Sequence, residues 1–326
     1  MISNSMPVTV KRFQSDNAGI NLLVLGAIHG NETCGTDAIE KVINLIENES
    51  LKITSGSVTF IPVVNTQAYL KKTRKVNRDL NRSFKRSLTC VTYEDSVTNF
   101  IIDVMNGCDV LLDIHSFRAE GDGFIFLGPE NNNGTLQPFS YAEKELGFAK
   151  SLGFKKMIFG WLDSYDEFVA KQTEFIKQQP GLIQSVRKAQ TDFGIGTTEF
   201  FRSLGKYGVT LECGNHQDPA SAKMAYNAIV SALAHLEIIE TNQELIKSFE
   251  SSYRFNQIIL REHEGDCYSE QWKPFDPIKK GQVLGVRHSG AKVIAPADGA
   301  VIFTYEDARV GSEWIYISES SNRGIL

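Results

Sequence analysis

The segment Asn21-Leu-Leu-Val-Leu-Gly-Ala-Ile-His-Gly-Asn-Glu32 joins an apolar run to a polar one. Its apolar residues follow one another instead of alternating, which predicts a strand over Asn21–Ala27 buried on both faces. His29 and Glu32 come directly after it. In open α/β sheets ligands bind beyond the carboxyl ends of the strands, so the polar residues sit where a site would form.

Working outward, apolar residues at helical spacing (Ala38, Ile39, Val42, Ile46) predict a helix over Asn31–Ile46. Val58–Val64 reads as a second strand, with Pro62 suggesting an edge or a bulge. A helix over Val91–Met105 and strands at Val110–Ile114 and Phe124–Leu127 follow. Next come a helix over Tyr141–Ser151, a strand at Val209–Leu211 and a long helix over Ala220–Ile239. Strands separated by helices imply a layered α/β fold whose sheet is mostly parallel, with helices on both faces. From about Ser251 the pattern changes to short β runs broken by Gly, Pro and Asp. A junction near 245–252 therefore divides the chain into residues 1–248 and a small all-β domain, 249–326. Ile278–Gly285 and Val293–Val301 look like pieces of a lipoyl- or biotinyl-type half-barrel. Lys292 lies only three residues before Ala295, which leaves no room for the strand after a carrier lysine. The β domain is thus expected to be structural or to cover a site.

The chain has 326 residues, 42% of them hydrophobic and 22% charged, which excludes a disordered or fibrous protein. Its net charge of −5 argues against a general nucleic-acid binder. MISNSMPVTVKRFQ shows no secretory leader, and no apolar run approaches the ~18–20 residues that span a bilayer. The five cysteines (Cys34, Cys90, Cys108, Cys213, Cys267) are odd in number and include no Cys-x-x-Cys. That usage fits reduced thiols in a cytoplasm better than a disulfide framework.

Three polar groups follow predicted buried strands: His29, His115 in Asp113-Ile-His-Ser116, and Glu212 in Thr210-Leu-Glu-Cys-Gly214. A His-x-x-Glu spacing lets His29 and Glu32 reach one ion from a single turn. Two imidazoles, a carboxylate and an open fourth position suit a catalytic zinc; the same set also suits Fe(II). A second cluster, Lys71 to Arg86, holds eight basic residues against one acid, Asp79. It reads as a solvated face, a nucleic-acid patch, or a recognition element for a small anionic substrate.

GAIHGNE, NRDLNRSF, DIHS and TLECG, in that order over residues 22–216, together resemble the succinylglutamate desuccinylase/aspartoacylase family of zinc carboxypeptidase-like enzymes. The resemblance implies that fold, one zinc per chain and His29, Glu32 and His115 as its ligands. It assigns Asn81 and Arg82 to the substrate's α-carboxylate, Arg74 to the carbonyl oxygen, and Glu212 to general acid–base catalysis. Arg202-Ser-Leu-Gly-Lys-Tyr-Gly-Val-Thr-Leu-Glu212 is similar to the aspartoacylase segment in which an arginine binds a second carboxylate, which makes Arg202 a specificity candidate. Thr198 stands where those enzymes carry a tyrosine, a departure that speaks against N-acetylaspartate itself. The implied activity is removal of an acyl group from a small N-acyl amino acid, with neither nucleic acid nor membrane as partner. Alternatives are a zinc carboxypeptidase acting on short peptides and a non-catalytic zinc- and anion-binding protein. The basic run and the β domain are both candidate contact surfaces for a homo-oligomer.

Overall fold

The strand Asn21–Leu25 (β2) is buried on both faces, as its unbroken apolar run requires. Leu22 and Val24 pack into one core, and Leu23 and Leu25 into another on the opposite side of the sheet. The computed structural model describes residues 8–179, 193–241 and 248–325. The first core is closed by helices α1 (Cys34–Glu47), α4 (Ala142–Ser151) and α7 (Pro219–His235). The second is closed by α3 (Tyr93–Asn106) and by Phe201 of α6 (Thr197–Ser203). Helices therefore cover both faces, the arrangement expected of strands that do not alternate.

Beside β2 lie β3 (Ser57–Ile61) and β4 (Val110–Phe117), both parallel to it, and β7 (Tyr207–Asn215) runs parallel to β4. The edge strand β1 (Lys11–Gln14) is antiparallel to β3. On the other side of β7 come β5 (Phe124–Phe126), β6 (Lys156–Phe159) and β8 (Ser251–Leu260). β5 is antiparallel to β7, while β6 is parallel to both β5 and β8. β14 (Glu313–Ser321), β13 (Gly299–Thr304) and β10 (Asp276–Ile278) complete an eleven-stranded mixed sheet by antiparallel pairing. A separate antiparallel sheet contains β9 (Cys267–Tyr268), β11 (Val283–Val286) and β12 (Lys292–Ile294). Ile278, Leu284, Val301 and Trp314 fill the space between this sheet and the main one.

The compositional junction near 245–252 begins in residues outside the described set. β8 pairs with β6, so the main sheet continues across it. Lys292 is exposed at the start of β12. Pro62 marks neither an edge nor a bulge. It follows the last residue of β3, an interior strand, and its carbonyl accepts the Thr36 hydroxyl at 2.7 Å. A residue without an N–H costs the ladder nothing there. An 18-residue helix, α5 (Trp161–Gln178), was not predicted; it packs Tyr165, Phe168 and Val169 against Phe255 and Ile258 of β8. Among the described residues no helix is long and apolar enough to cross a membrane.

Candidate active site

His29 and Glu32 lie on the tight connection between β2 and α1, where the Glu32 N–H donates to the His29 carbonyl at 3.1 Å. Gly30 must be a glycine: an added Cβ would stand 2.1 Å from the backbone of Ala68 and Tyr69 in α2 (Thr66–Leu70). His115 lies near the end of β4, and its register partner on β7 is Glu212. His29, Glu32 and His115 are each about 2% exposed. Their donor atoms lie within 4.8 Å of one another.

Both imidazoles face the cluster with Nδ1. The two Nδ1 atoms are 3.2 Å apart, His29 Nδ1 is 2.9 Å from Glu32 Oε1, and His115 Nδ1 is 2.9 Å from Glu32 Oε2. Donors bound tetrahedrally to zinc at 2.0–2.1 Å lie about 3.3 Å from each other, so the spacing suits such an ion. The outer nitrogens are held by carboxylates: His29 Nε2 by Asp79 at 2.9 Å, His115 Nε2 by Asp113 at 3.0 Å. An Nε2–H held this way leaves the Nδ1 lone pair pointing inward, and such carboxylates orient and strengthen imidazole ligands. Asp113 also accepts the Thr197 hydroxyl, which fixes its own position.

Without a cation this donor set retains a proton. Burial opposes a charge on His115, yet Asp113 and Glu32 hold its pKa well above the usual histidine value. Burial likewise opposes charge on Glu32, but His29 and His115 keep its carboxyl well below the ordinary range. Glu212 differs. Burial and the neighbouring Glu32 charge push it up to about 8, and its Oε2 is buried with no hydrogen-bond partner among the described residues.

The basic run has no regular secondary structure over Arg74–Arg82 and is pinned by the start of α3. Glu94 accepts the N–H groups of Val76 and Asn77, and Arg78 donates to Asp95 and Thr98. Arg78 is therefore structural. Arg74, whose side chain is 45% exposed, donates Nε to Asp79 and Nη1 to Glu32, both at 3.0 Å. The Asn81 N–H donates to Asp79 at 2.9 Å, and the Asn81 side-chain oxygen accepts the Thr197 N–H. Arg82 lies over Trp161 (5.1 Å), Tyr165 (5.5 Å) and Phe193 (6.0 Å). One of its nitrogens donates to the Asn81 carbonyl, and among the described residues no carboxylate lies within ion-pair distance of it.

Of the sequence candidates, His29, Glu32, His115, Arg74, Asn81, Arg82 and Glu212 come together here. Arg202 does not. It is buried and donates to both Glu145 oxygens (2.8 and 3.2 Å), to Glu199 at 3.3 Å and to the Gly208 carbonyl at 2.8 Å. Gly208 is at the beginning of β7, four residues before Glu212, about 13 Å along a strand. The second-carboxylate role expected for Arg202 is at odds with this placement, because its donors are spent on internal partners.

The sequence reading left other residues unassigned. Asp113 was legible in principle, since positions i and i+2 of a strand share a face with His115. Ser116 and His216 stand beside the cluster: the Ser116 N–H donates to Glu32 at 3.2 Å, and Ser116 Oγ is 2.8 Å from His216 Nδ1. Burial lowers the His216 pKa. Tyr305, Glu313 and Tyr316, from the turn after β13 and from β14, all lie within electrostatic reach of Arg82. No local motif marks them.

Fold and site together define an α/β protein with a buried His–Glu–His cluster able to hold a metal ion at the carboxyl ends of its central strands. Residues 18–141 match the family model of the succinylglutamate desuccinylase/aspartoacylase catalytic domain. A curated relative described as a probable aspartoacylase, from Prochlorococcus marinus, is 30% identical over 114 residues. That stretch is 33% of this chain and spans 37% of the relative's length. Two solved structures share the fold. One, a succinylglutamate desuccinylase/aspartoacylase from Rhodobacter sphaeroides, has a TM-score of 0.71 at 16% identity, covering 97% of this chain and 89% of its own. The other, the ectoine utilization protein EutE from Ruegeria pomeroyi, has a TM-score of 0.67 at 17% identity, covering 95% and 88%.

Proposed function

We propose that this chain is a zinc-dependent amidohydrolase that removes the acyl group from a small N-acyl amino acid. The observation that carries the reading is the pairing of a preorganised three-donor cluster with a guanidinium, Arg82, that makes no direct ion pair among the described residues, on the adjoining loop. His29, Glu32 and His115 would hold one zinc, which supplies Lewis acidity and brings the pKa of a bound water to roughly 7.

The chain's own residues do the rest. Asn81 and Arg82 clamp the α-carboxylate, with a planar guanidinium suited to bidentate contact, and so fix the scissile amide relative to the cluster. Arg74 has Nε and Nη1 committed to acids, which leaves its Nη2 donors for a developing oxyanion. Glu212 accepts a proton from the attacking water and returns it to the departing amine. Its elevated pKa in the cation-free chain falls once a positive charge sits beside it, toward the value an accepting base needs. Asp79 and Asp113 keep the imidazoles in one tautomer throughout.

A peptidase shares the clamp and the cluster. The match of residues 18–141 to a deacylase family model supports the deacylase reading over a peptidase. The test is metal content of the purified chain together with release of free amine from acetyl and succinyl derivatives of acidic, basic and neutral amino acids. About one zinc per chain with chelator-sensitive turnover is expected. Zinc without turnover on any member would overturn the deacylase assignment.

A further inference from the structure

The wall around Arg82 holds a second charged group, of opposite sign. Glu313, the first residue of β14, accepts the Tyr165 hydroxyl through Oε1. Tyr165 is one of the rings beneath Arg82, and Tyr316 stacks on Trp161, another of them. Glu313 therefore stands at the edge of the same aromatic box. Its field reaches Arg82, Tyr305 and Tyr316. Among the described residues no lysine, arginine or histidine pairs with it, and Oε2 makes no hydrogen bond there.

The cation within reach of Glu313 is Arg82, which the deacylase reading assigns to the substrate's α-carboxylate, so in the complex a further positive charge on the ligand would offset the Glu313 carboxylate. The deacylase reading already allots the other parts of an N-acyl amino acid. The α-carboxylate goes to Arg82 and Asn81, and the scissile carbonyl to Arg74 and the cluster. The amino-acid side chain is the remaining substituent. A carboxylate there would meet Glu313 as a like charge. Arg202, the residue expected to neutralise a second carboxylate, is committed to Glu145 and Glu199. An ammonium would make a charge-assisted hydrogen bond to Glu313. We propose that Glu313 selects substrates whose amino-acid side chain is cationic, so that the preferred class is Nα-acylated basic amino acids. The inference rests on the deacylase reading for the placement of the α-carboxylate.

The competing account is that Glu313 only props Tyr165 against Arg82. Two readouts separate the accounts. The first is kcat/KM of the zinc-loaded chain for Nα-acetyl derivatives of lysine, ornithine, norleucine, glutamine and glutamate. The cationic members should exceed the neutral ones of similar length by about 10- to 100-fold, the range of one hydrogen bond to a charged group. Glutamate should be worst. E313Q should erase most of that ratio, whereas Y165F, which removes the prop and keeps the carboxylate, should retain it. A wild-type preference for the acidic substrate, or a ratio equal in wild type and E313Q, would overturn the proposal.

The second readout needs no turnover: calorimetric Kd values of Nα-acetyl-lysine and Nα-acetyl-norleucine on E212Q with and without E313Q. Cation selectivity lost with Glu313 supports the proposal even if no substrate is cleaved, in which case only the deacylase reading fails. Equal binding of the two ligands overturns the proposal whatever the turnover. Circular dichroism of E313Q guards against misfolding, and the wild-type panel stands independently of any variant.

Discussion

Asp113→Asn tests whether the histidines are preorganised as ligands. Asp113 is fully buried, its Oδ2 accepts His115 Nε2–H at 3.0 Å, and its Oδ1 has no partner among the described residues. The substitution keeps volume, and the amide oxygen can still accept from Nε2. What it removes is the charge that makes His115 a stronger base. Loss of such an outer carboxylate typically costs 10- to 100-fold in metal affinity, or about 1.4–2.7 kcal/mol. Asp113→Ala should cost more, because Nε2–H then faces a void with no acceptor and the ring is free to turn. The pH dependence follows from the same contact. In the cation-free wild type His115 holds its proton well above the usual pH, so zinc must displace it. D113N weakens that proton's hold as well as the metal's. Its deficit should therefore be largest at the alkaline end of the range and shrink as pH falls. Competition with a chromogenic chelator between pH 6 and 8.5 measures both effects, with melting curves of the cation-free proteins confirming the fold. A folded D113N that binds zinc as tightly as wild type across that range would refute the argument.

Four further outcomes follow from the structure. E212Q should retain zinc but lose about 10²- to 10⁴-fold in kcat, measured by amine release. In chelated protein Glu212 titrates at about 8 when folded and near 4.5 when unfolded, so the folded chain binds more protons between those values. Stability should then fall as pH rises from about 5 to 8, by at most ~1.4 kcal/mol per unit from this group, and E212Q should flatten that slope in urea titrations. Arg82→Ala should raise KM about 10- to 100-fold for N-acyl amino acids, while an N-acyl amine lacking the carboxylate should be cleaved equally poorly by both proteins. Arg202→Ala should leave Glu145 buried and uncompensated, lowering unfolding free energy by about 3–5 kcal/mol without changing the order of substrate preference; a changed order with intact stability would return Arg202 to the substrate.

The central sheet was legible because its strands carry unbroken apolar runs. Leu22–Leu25 and Val110–Leu112 leave no polar face to solvent, and only a two-sided helical cover satisfies them. β1 and β6 escaped because four residues such as Lys11-Arg-Phe-Gln14 carry no period of their own; β1 exists by pairing with Ser57–Phe60. α5 does show an apolar face at Leu162, Tyr165, Phe168 and Val169. Charged residues between these positions and the short flanking strand diluted that signal.

The site divides along the same line. His29, Glu32 and His115 were readable because each follows a recognisable strand, so sequence position implied spatial position. Arg202 shows where that logic stops. It shares a stretch of sequence with Glu212, but β7 carries the two apart, and the pocket of Glu145 and Glu199 takes the guanidinium. Glu313 is the converse case. It is 101 residues from Glu212 in sequence, and only the antiparallel pairing of β14 with β8, itself beside β6, brings it to Arg82. The residues of the His–Glu–His cluster are local to strand ends, whereas Glu313, proposed to sort substrates, is delivered by long-range pairing. Substrate choice can thus change through the C-terminal strands while the metal cluster stays fixed, and exchanging the 305–313 turn should alter the preferred side chain and leave zinc affinity where it was.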